Sequence, residues 1–480
     1  MSTLIEDTIL NPELAGLLLL AFSALWIFLG WYWGRKAAEL EEFMLAGRRV
    51  GLALGTATAM ATWVTASTTM VAPQFAYELG IWGMIGYSLG SVGLLLFAPM
   101  ARRIREIMPG GFTSGDFVRL RYGPMAWRIF LLISIFYSMG WLVSLGMAGG
   151  VMIEALSGLP YWLGMSVILT ICVIYTLLGG LRAVIGTDFI QTLIIITGVV
   201  VLGFLIIANI GFDEMHESIM DTRPELMNLM MPAAIMFLFN NLLFGMGEIF
   251  HSNVWWSRAF AFGKGVGFKA YLISGIFWTP IPIAAGFLAL AAPALNLNVP
   301  RSDMVGPLVS ANLIGTGGAI LIFIIVFSAL ASSLDSLLAA TSDLIVEDIY
   351  HKHLHPSASK ATRRRASSFT IILLGVVTWM VCIMNLDTLG KILHLTGAFV
   401  ASTIWPIAAG LYWKKTNRHG AAAGMFFGSS IGLSAYYLID WYVAALIGAT
   451  VSMLIVVIST FIWPHEFRWE QLAEEEPGES

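Results

Sequence analysis

Three carboxylates stand inside long apolar stretches of this chain. They are Asp188 in GGLRAVIGTDFIQ, Glu248 in NNLLFGMGEIFHSN and Asp335 in FSALASSLDSLLAATSDLIVEDIY. Charged groups in such surroundings are costly and mark binding or ion pathways. Ser328, Ser332 and Ser336 recur at a spacing of four, with Asp335 three residues after Ser332. On a helix these side chains form one oxygen-bearing stripe. Oxygen donors without a Cys or His cluster suit a hard cation rather than zinc or copper. A carboxylate, serine hydroxyls and free backbone carbonyls can replace the water around Na⁺. The competing reading is a hydrogen-bonded network between helices.

Glu248 has a different setting. Gly245 and Gly247 loosen the helix before it, and Asn240, Asn241, His251 and Asn253 gather around it. A second segment matches it: seven of the fourteen residues from Thr56 to Thr69 are Ser or Thr, and Pro73 follows. Thr65, Ser67 and Thr68 are expected to share a small polar cavity with Asn241, Phe244 and Glu248. An ionised Glu there needs a donor, which is a substrate N–H, a cation, or His251 three residues on. His251 and His394 have no ligand-spaced partner and read as hydrogen-bonded core residues rather than proton relays. His351, His353 and His355 read as a loop. Cys172 and Cys382 read as small buried hydrophobes. No nucleophile–base set appears, so an enzyme is not expected, and no cofactor or metal beyond a coupling ion is called for.

The elements that hold these groups must cross a membrane. Of the 480 residues 58% are hydrophobic and only 12% charged, against roughly 25% charged in a soluble domain. The net charge of −4 adds little, and 26 Lys and Arg in short separated groups exclude a nucleic-acid surface. A crossing takes about 20 apolar residues. Thirteen runs qualify: 14–34, 51–77, 81–101, 127–156, 161–181, 184–210, 230–257, 267–292, 306–349, 367–386, 389–413, 420–440 and 442–463. The run 306–349 is too long for one crossing, and a surface helix before the span is expected.

With the N-terminus outside and the C-terminus cytoplasmic, 23 of the 26 basic residues, Arg258 among them, fall on the cytoplasmic side. Glu6 and Asp7 precede the first run in place of a basic n-region, which argues against a cleaved signal peptide.

Paired interrupted segments in two halves of a transporter point to its binding site. Here the pair is the second and seventh spans, with four spans between them. The expected organisation is a single transporter domain over 1–480. Within it, 51–210 is a first five-helix repeat, 230–413 a second, inverted one, and 14–34 and 420–463 are peripheral helices.

Four stretches resemble the sodium:solute symporter family, which includes sodium/galactose, sodium/proline and sodium/sialic acid carriers. GGLRAVIGTDFIQ resembles its GG-(L/Y)-(K/R)-A…TD-x-(I/V)-Q stretch, and ALASSLDSLLAATSDLIVEDIY its A-x-x-S-S…D-(I/L/F)-Y segment. WWSRAFAFGKG is similar to the Q-R end of the seventh span, with Ser257 in place of the usual Gln. LYWKKTNRHGAAAGMFFG resembles the WK(R/K)…GA…AG hairpin.

The resemblance implies an all-α membrane protein of leucine-transporter type, alternating access around spans 2 and 7. By position, sodium would meet the carbonyls of Ala61, Val64 and Ala329 and the hydroxyls of Ser332 and Ser333. Asp188 matches an aspartate that joins a second cation site in some members, with Ser332 and Ser336. Asp335 stands where those members have Ser. Trp63 replaces an aspartate important in proline carriers, which argues against proline. Glu248 replaces the galactose carrier's aromatic gate and favours a substrate with an amine or amide donor. FAYELGIWGMIGYSLG faintly resembles the urea and polyamine branch.

The function expected is sodium-coupled uptake of a small polar organic solute at the plasma membrane, as a bacterial inner-membrane monomer. Its partners are the solute, Na⁺ and the lipid bilayer. One charge moving through 100 mV supplies about 2.3 kcal/mol. The rivals are a proton-coupled symporter, a channel, and a membrane sensor on a symporter scaffold. Against the sensor, only ~17 residues follow the last span, counted from its reading at 442–463.

Overall fold

The computed structural model describes residues 9–35 and 39–474, so Glu6, Asp7 and Lys36 lie outside the described residues. The described chain is helical, with one isolated parallel bridge between Val50 and Phe262. Inside hydrocarbon a helix satisfies its own backbone, which is why apolar runs of this length take that form. Ten described helices or helix pairs are long and apolar enough to cross a membrane. The outer surface is correspondingly apolar: Leu17, Leu20, Phe204, Leu438 and Phe461 are exposed.

Each run read from the sequence falls largely on helix, several of them divided into shorter pieces. Runs 161–181 and 184–210 form one assigned helix, Tyr161–Asn209, kinked at Gly180, whose φ of 52° is open to glycine. The run 51–77 is two pieces around a break. Ahead of the long ninth span, Val305–Ile314 is a separate helix ended by Gly315, and most of its residues are buried. It is therefore not the surface helix expected. The residues His351 and His353 also depart from the loop reading. They belong to a π-helical continuation, Ile345–Leu354, and the His353 ring packs on Trp127 at 4.7 Å.

Eight helices position the polar core. They are α1 (Leu52–Trp63), α2 (Ala72–Leu79), α3 (Ile81–Ser88), α4 (Tyr161–Asn209), α5 (Pro232–His251), α6 (Asn253–Ala261), α7 (Thr316–Leu344) and α8 (Leu389–Leu395). Packing of α4 against α7, and of α1 against α4, brings the carboxylate of α4 to the serine stripe of α7. The helix α5 approaches Ser91–Ile107 through glycine. A Cβ at Gly245 would sit 2.6 Å from Gly90 Cα, and one at Gly93 2.7 Å from the Gly245 carbonyl. Small residues permit such crossings where helices meet in lipid.

Both interrupted segments are broken. In the first, α1 stops at Trp63, Val64 leaves helical geometry (φ −81°, ψ 75°), and a π-turn Ser67–Val71 leads into α2. Pro73 in the first turn of α2 has no N–H to return to residue 69, which suits the widened turn. In the second, Ser252 is extended (φ −67°, ψ 130°) and caps α6 by accepting from the Val254 amide at 3.4 Å. Asn253 fixes this break to its neighbours: Nδ2 donates to the Ala340 carbonyl at 2.9 Å, and Oδ1 accepts from the Ser114 amide at 3.0 Å.

Candidate functional site

The break after α1 frees two carbonyls. In an α-helix the amides of Thr65 and Thr68 would bond the carbonyls of Ala61 and Val64. Here the Thr65 amide donates to Thr68 Oγ1 at 3.2 Å, and the Thr68 amide to Thr65 Oγ1 at 3.1 Å. The Thr68 hydroxyl donates onward to the Trp63 carbonyl at 2.9 Å. Three residues thus open the backbone at the two positions expected to meet a cation.

On α7 the two adjacent serines point their protons in different directions. Ser333 donates to the Ala329 carbonyl at 3.0 Å, whereas Ser332 donates to Asp188 Oδ1 at 2.6 Å. A hydroxyl that ligates a cation must direct its O–H elsewhere, and both do. Ala61, Val64, Ala329, Ser332 and Ser333 are all buried.

Asp188, Asp335 and Ser336 come together in a denser cluster. Asp188 Oδ2 accepts from Thr58 Oγ1 at 2.6 Å. The Arg258 guanidinium, fully buried, reaches the same carboxylate at 3.5 Å, Ser336 Oγ at 2.8 Å and Thr58 Oγ1 at 3.0 Å. Asp335 accepts from the Ser336 amide and bonds the Tyr175 hydroxyl, which also meets the Ala331 carbonyl. Thr62 lies 3.4 Å from Ser336 across the α1–α7 contact. Arg258, counted above with the basic residues of the cytoplasmic side, is instead a buried cation on α6 at the groups read as a second cation site. Its cost of burial demands the carboxylate partner. Ser328 stays outside this network, its hydroxyl unpartnered.

A cavity lies between α1, α3, α5 and α8. Thr65, Asn241, Phe244 and Glu248 line it, as expected, together with Trp63, Tyr87, Trp141 and Trp278. Ser67 and Thr68 do not; they face the Tyr87 side chain instead. Glu248 is 4% exposed, and its Oε1 has no hydrogen-bond partner. The Tyr137 hydroxyl is the protein group nearest to serving as its donor, but it meets the carboxyl outside good hydrogen-bond geometry. His251 does not pair with Glu248 among the described residues. Its Nδ1 meets the Gly247 carbonyl at 2.8 Å and its ring packs edge-on to Tyr137 at 4.9 Å. The aromatic walls were missed because four separate segments supply them, and no local spacing announces that.

The chain is 27% identical over 435 residues to the urea-proton symporter DUR3 of Oryza sativa subsp. japonica, covering 82% of this chain and 60% of that protein. It is 25% identical to the urea active transporter of Saccharomyces cerevisiae, covering 84% and 59%. The chain thus spans about 60% of the length of these urea relatives. It is 26% identical to the osmoregulated proline transporter OpuE of Bacillus subtilis, covering 89% and 92%. A substrate-bound, outward-open Na⁺-coupled sialic acid symporter superposes with a TM-score of 0.77 at 19% identity, covering 94% of this chain and 99% of that one. A nucleobase-cation-symport-1 family transporter, closed with bromovinylhydantoin bound, gives 0.59 at 13%, covering 91% and 96%. These likenesses establish the leucine-transporter type of fold. Residues 43–428 match the model of the sodium:solute symporter family, and the chain belongs to that family.

Proposed function

We propose that this protein is a plasma-membrane symporter that takes up a small nitrogen-bearing solute with Na⁺, working by alternating access between two inverted repeats, 51–210 and 230–413. The observation that carries the substrate reading is the buried, unpartnered Oε1 of Glu248 in a cavity walled by Trp63, Tyr87, Trp141 and Trp278. A buried carboxylate oxygen without a donor is expensive. A substrate N–H supplies that donor, and aromatic faces receive a planar amide or an ammonium group. Urea and amino-acid transport by relatives agrees with this class.

Sodium is assigned to the freed carbonyls of Ala61 and Val64 with Ala329, Ser332 and Ser333. The guanidinium of Arg258 supplies positive charge at Asp188 and Ser336, so this reading uses one sodium and no second cation there. Thermal stability of the purified protein against urea, proline, amines, carboxylates and sugars, with and without Na⁺, tests it. Stabilisation by a nitrogen-bearing compound that Na⁺ enhances supports the assignment. Stabilisation by a sugar or carboxylate alone removes the role given to Glu248.

A further inference from the structure

A second, smaller pocket lies between the helix Pro124–Ser157, the break at Ser252 and α7. Three buried side chains line it without a hydrogen-bond partner among the described residues: Ser134 Oγ, His251 Nε2 and Thr341 Oγ1. This pocket shares two helix faces with the substrate cavity. Ser134, Ser138 and Trp141 recur at i, i+4 and i+7, and His251 follows Glu248 by three residues. Tyr137 packs on His251 at 4.9 Å and faces the Glu248 carboxyl. The polar atoms therefore run in one column from the cavity toward the face expected to be cytoplasmic.

A third space continues the line. Three residues beyond Leu344 of the second pocket, Glu347 lines a cavity of about 500 Å³ with Asp116, His351 and Lys352. His351 and Lys352 are partly exposed there. Asn253 of the second pocket accepts from the amide of Ser114, two residues before Asp116, and donates to the Ala340 carbonyl. Its orientation is fixed, because a backbone N–H only donates and a backbone carbonyl only accepts. Ser114 Oγ is one more buried atom without a partner. The other way inward, between α1, α4 and α7, is different. There Asp188, Asp335, Ser336 and Arg258 satisfy one another, so opening it would break a charged network. A buried polar atom without a partner has lost its water and gained nothing in exchange. That cost disappears once water enters the column.

We propose that the solute passes toward the cytoplasm along this column, between Pro124–Ser157, the Ser252 break and α7, with the Asn253 amide as its inner gate. Opening parts Asn253 from Ser114 or Ala340 and hydrates Ser134, His251 and Thr341. Two hydroxyls and an imidazole nitrogen then offer hydrogen bonds to a small polar solute leaving Glu248. The identity of that passenger rests on the symporter reading; the water-filled route does not.

Thiol accessibility in the full chain tests the route without any solute. Cys172 and Cys382 are both buried, so introduced thiols report against a quiet background. Ser134→Cys and Thr341→Cys mark the column, and Thr62→Cys marks the contact of α1 with Ser336 on α7. A membrane-impermeant methanethiosulfonate bearing trimethylammonium is added to the cytoplasmic face of inside-out vesicles in K⁺ medium. Both column thiols should react about tenfold faster than Thr62→Cys, because labelling of a buried thiol follows the population of its open form. Adding Asn253→Ala should speed column labelling about threefold or more and leave Thr62→Cys unchanged. Column thiols that react no faster than Thr62→Cys overturn the route. An Asn253→Ala change that speeds all three alike, or none, overturns the gate. Loss of urea uptake with the labelling pattern intact would instead count against the symporter reading.

Discussion

Ser332 donates its hydroxyl proton to Asp188 Oδ1 at 2.6 Å, joining α7 to α4 across 144 residues of sequence. That bond turns the serine oxygen's lone pairs away from the carboxylate. In the proposed function they meet sodium. In that reading Asp188 orients a ligand instead of serving as one; its other oxygen is held by Thr58 and Arg258.

The sodium ligands can be tested one hydroxyl at a time. Ser332→Ala and Ser333→Ala each remove a donor oxygen but leave the helix intact. The expected outcome is a half-saturating Na⁺ concentration raised about fivefold or more, from the loss of roughly 1 kcal/mol or more per ligand. Thermal stability without Na⁺ should change little. Unchanged sodium dependence in both variants would remove this pair from the site.

Breaking the Asp188–Arg258 pair should cost both stability and transport. Asp188→Asn leaves a buried guanidinium without its counter-charge, at about 3–5 kcal/mol. Uptake is expected to fall at least tenfold, with partial recovery in Asp188→Glu. Arg258→Met combined with Asp188→Asn should unfold at a higher temperature than Asp188→Asn alone. If the double variant is no more stable than the single one, the two groups are not energetically coupled.

Glu248→Gln separates substrate from sodium. The apparent KM should rise, about tenfold if one charge-assisted hydrogen bond is lost, with sodium affinity nearly constant. His251→Ala should not reproduce this, because His251 bonds the Gly247 carbonyl rather than Glu248. An equal effect from His251→Ala, or an unchanged KM in Glu248→Gln, would end the nitrogen-donor argument.

The sequence made some of this visible and hid the rest for physical reasons. Apolar runs reveal helices because hydrocarbon demands them, and Ser, Thr and Gly density revealed both breaks. Asp188, Ser332 and Ser336 were legible because their oxygen chemistry stands out in apolar surroundings. The role of Arg258 was not, since a basic residue near a span end also serves as a topology signal. The aromatic walls were invisible because Trp63, Tyr87, Trp141 and Trp278 meet only in the fold. His394 looked like a core histidine. It is buried as expected, and its bond to the Asn241 amide 153 residues away is one that no spacing rule reaches. Val305–Ile314 was misread as a surface helix because its apolar residues could face lipid or protein alike.

Coupling is the central claim, and transport itself measures it most directly. The full chain in proteoliposomes would be given labelled urea with an inward Na⁺ gradient at equal pH on both sides. The account predicts transient accumulation above the equilibrium level, lost when K⁺ replaces Na⁺ and weakened in Ser333→Ala. Equal accumulation with K⁺ in place of Na⁺ would contradict it.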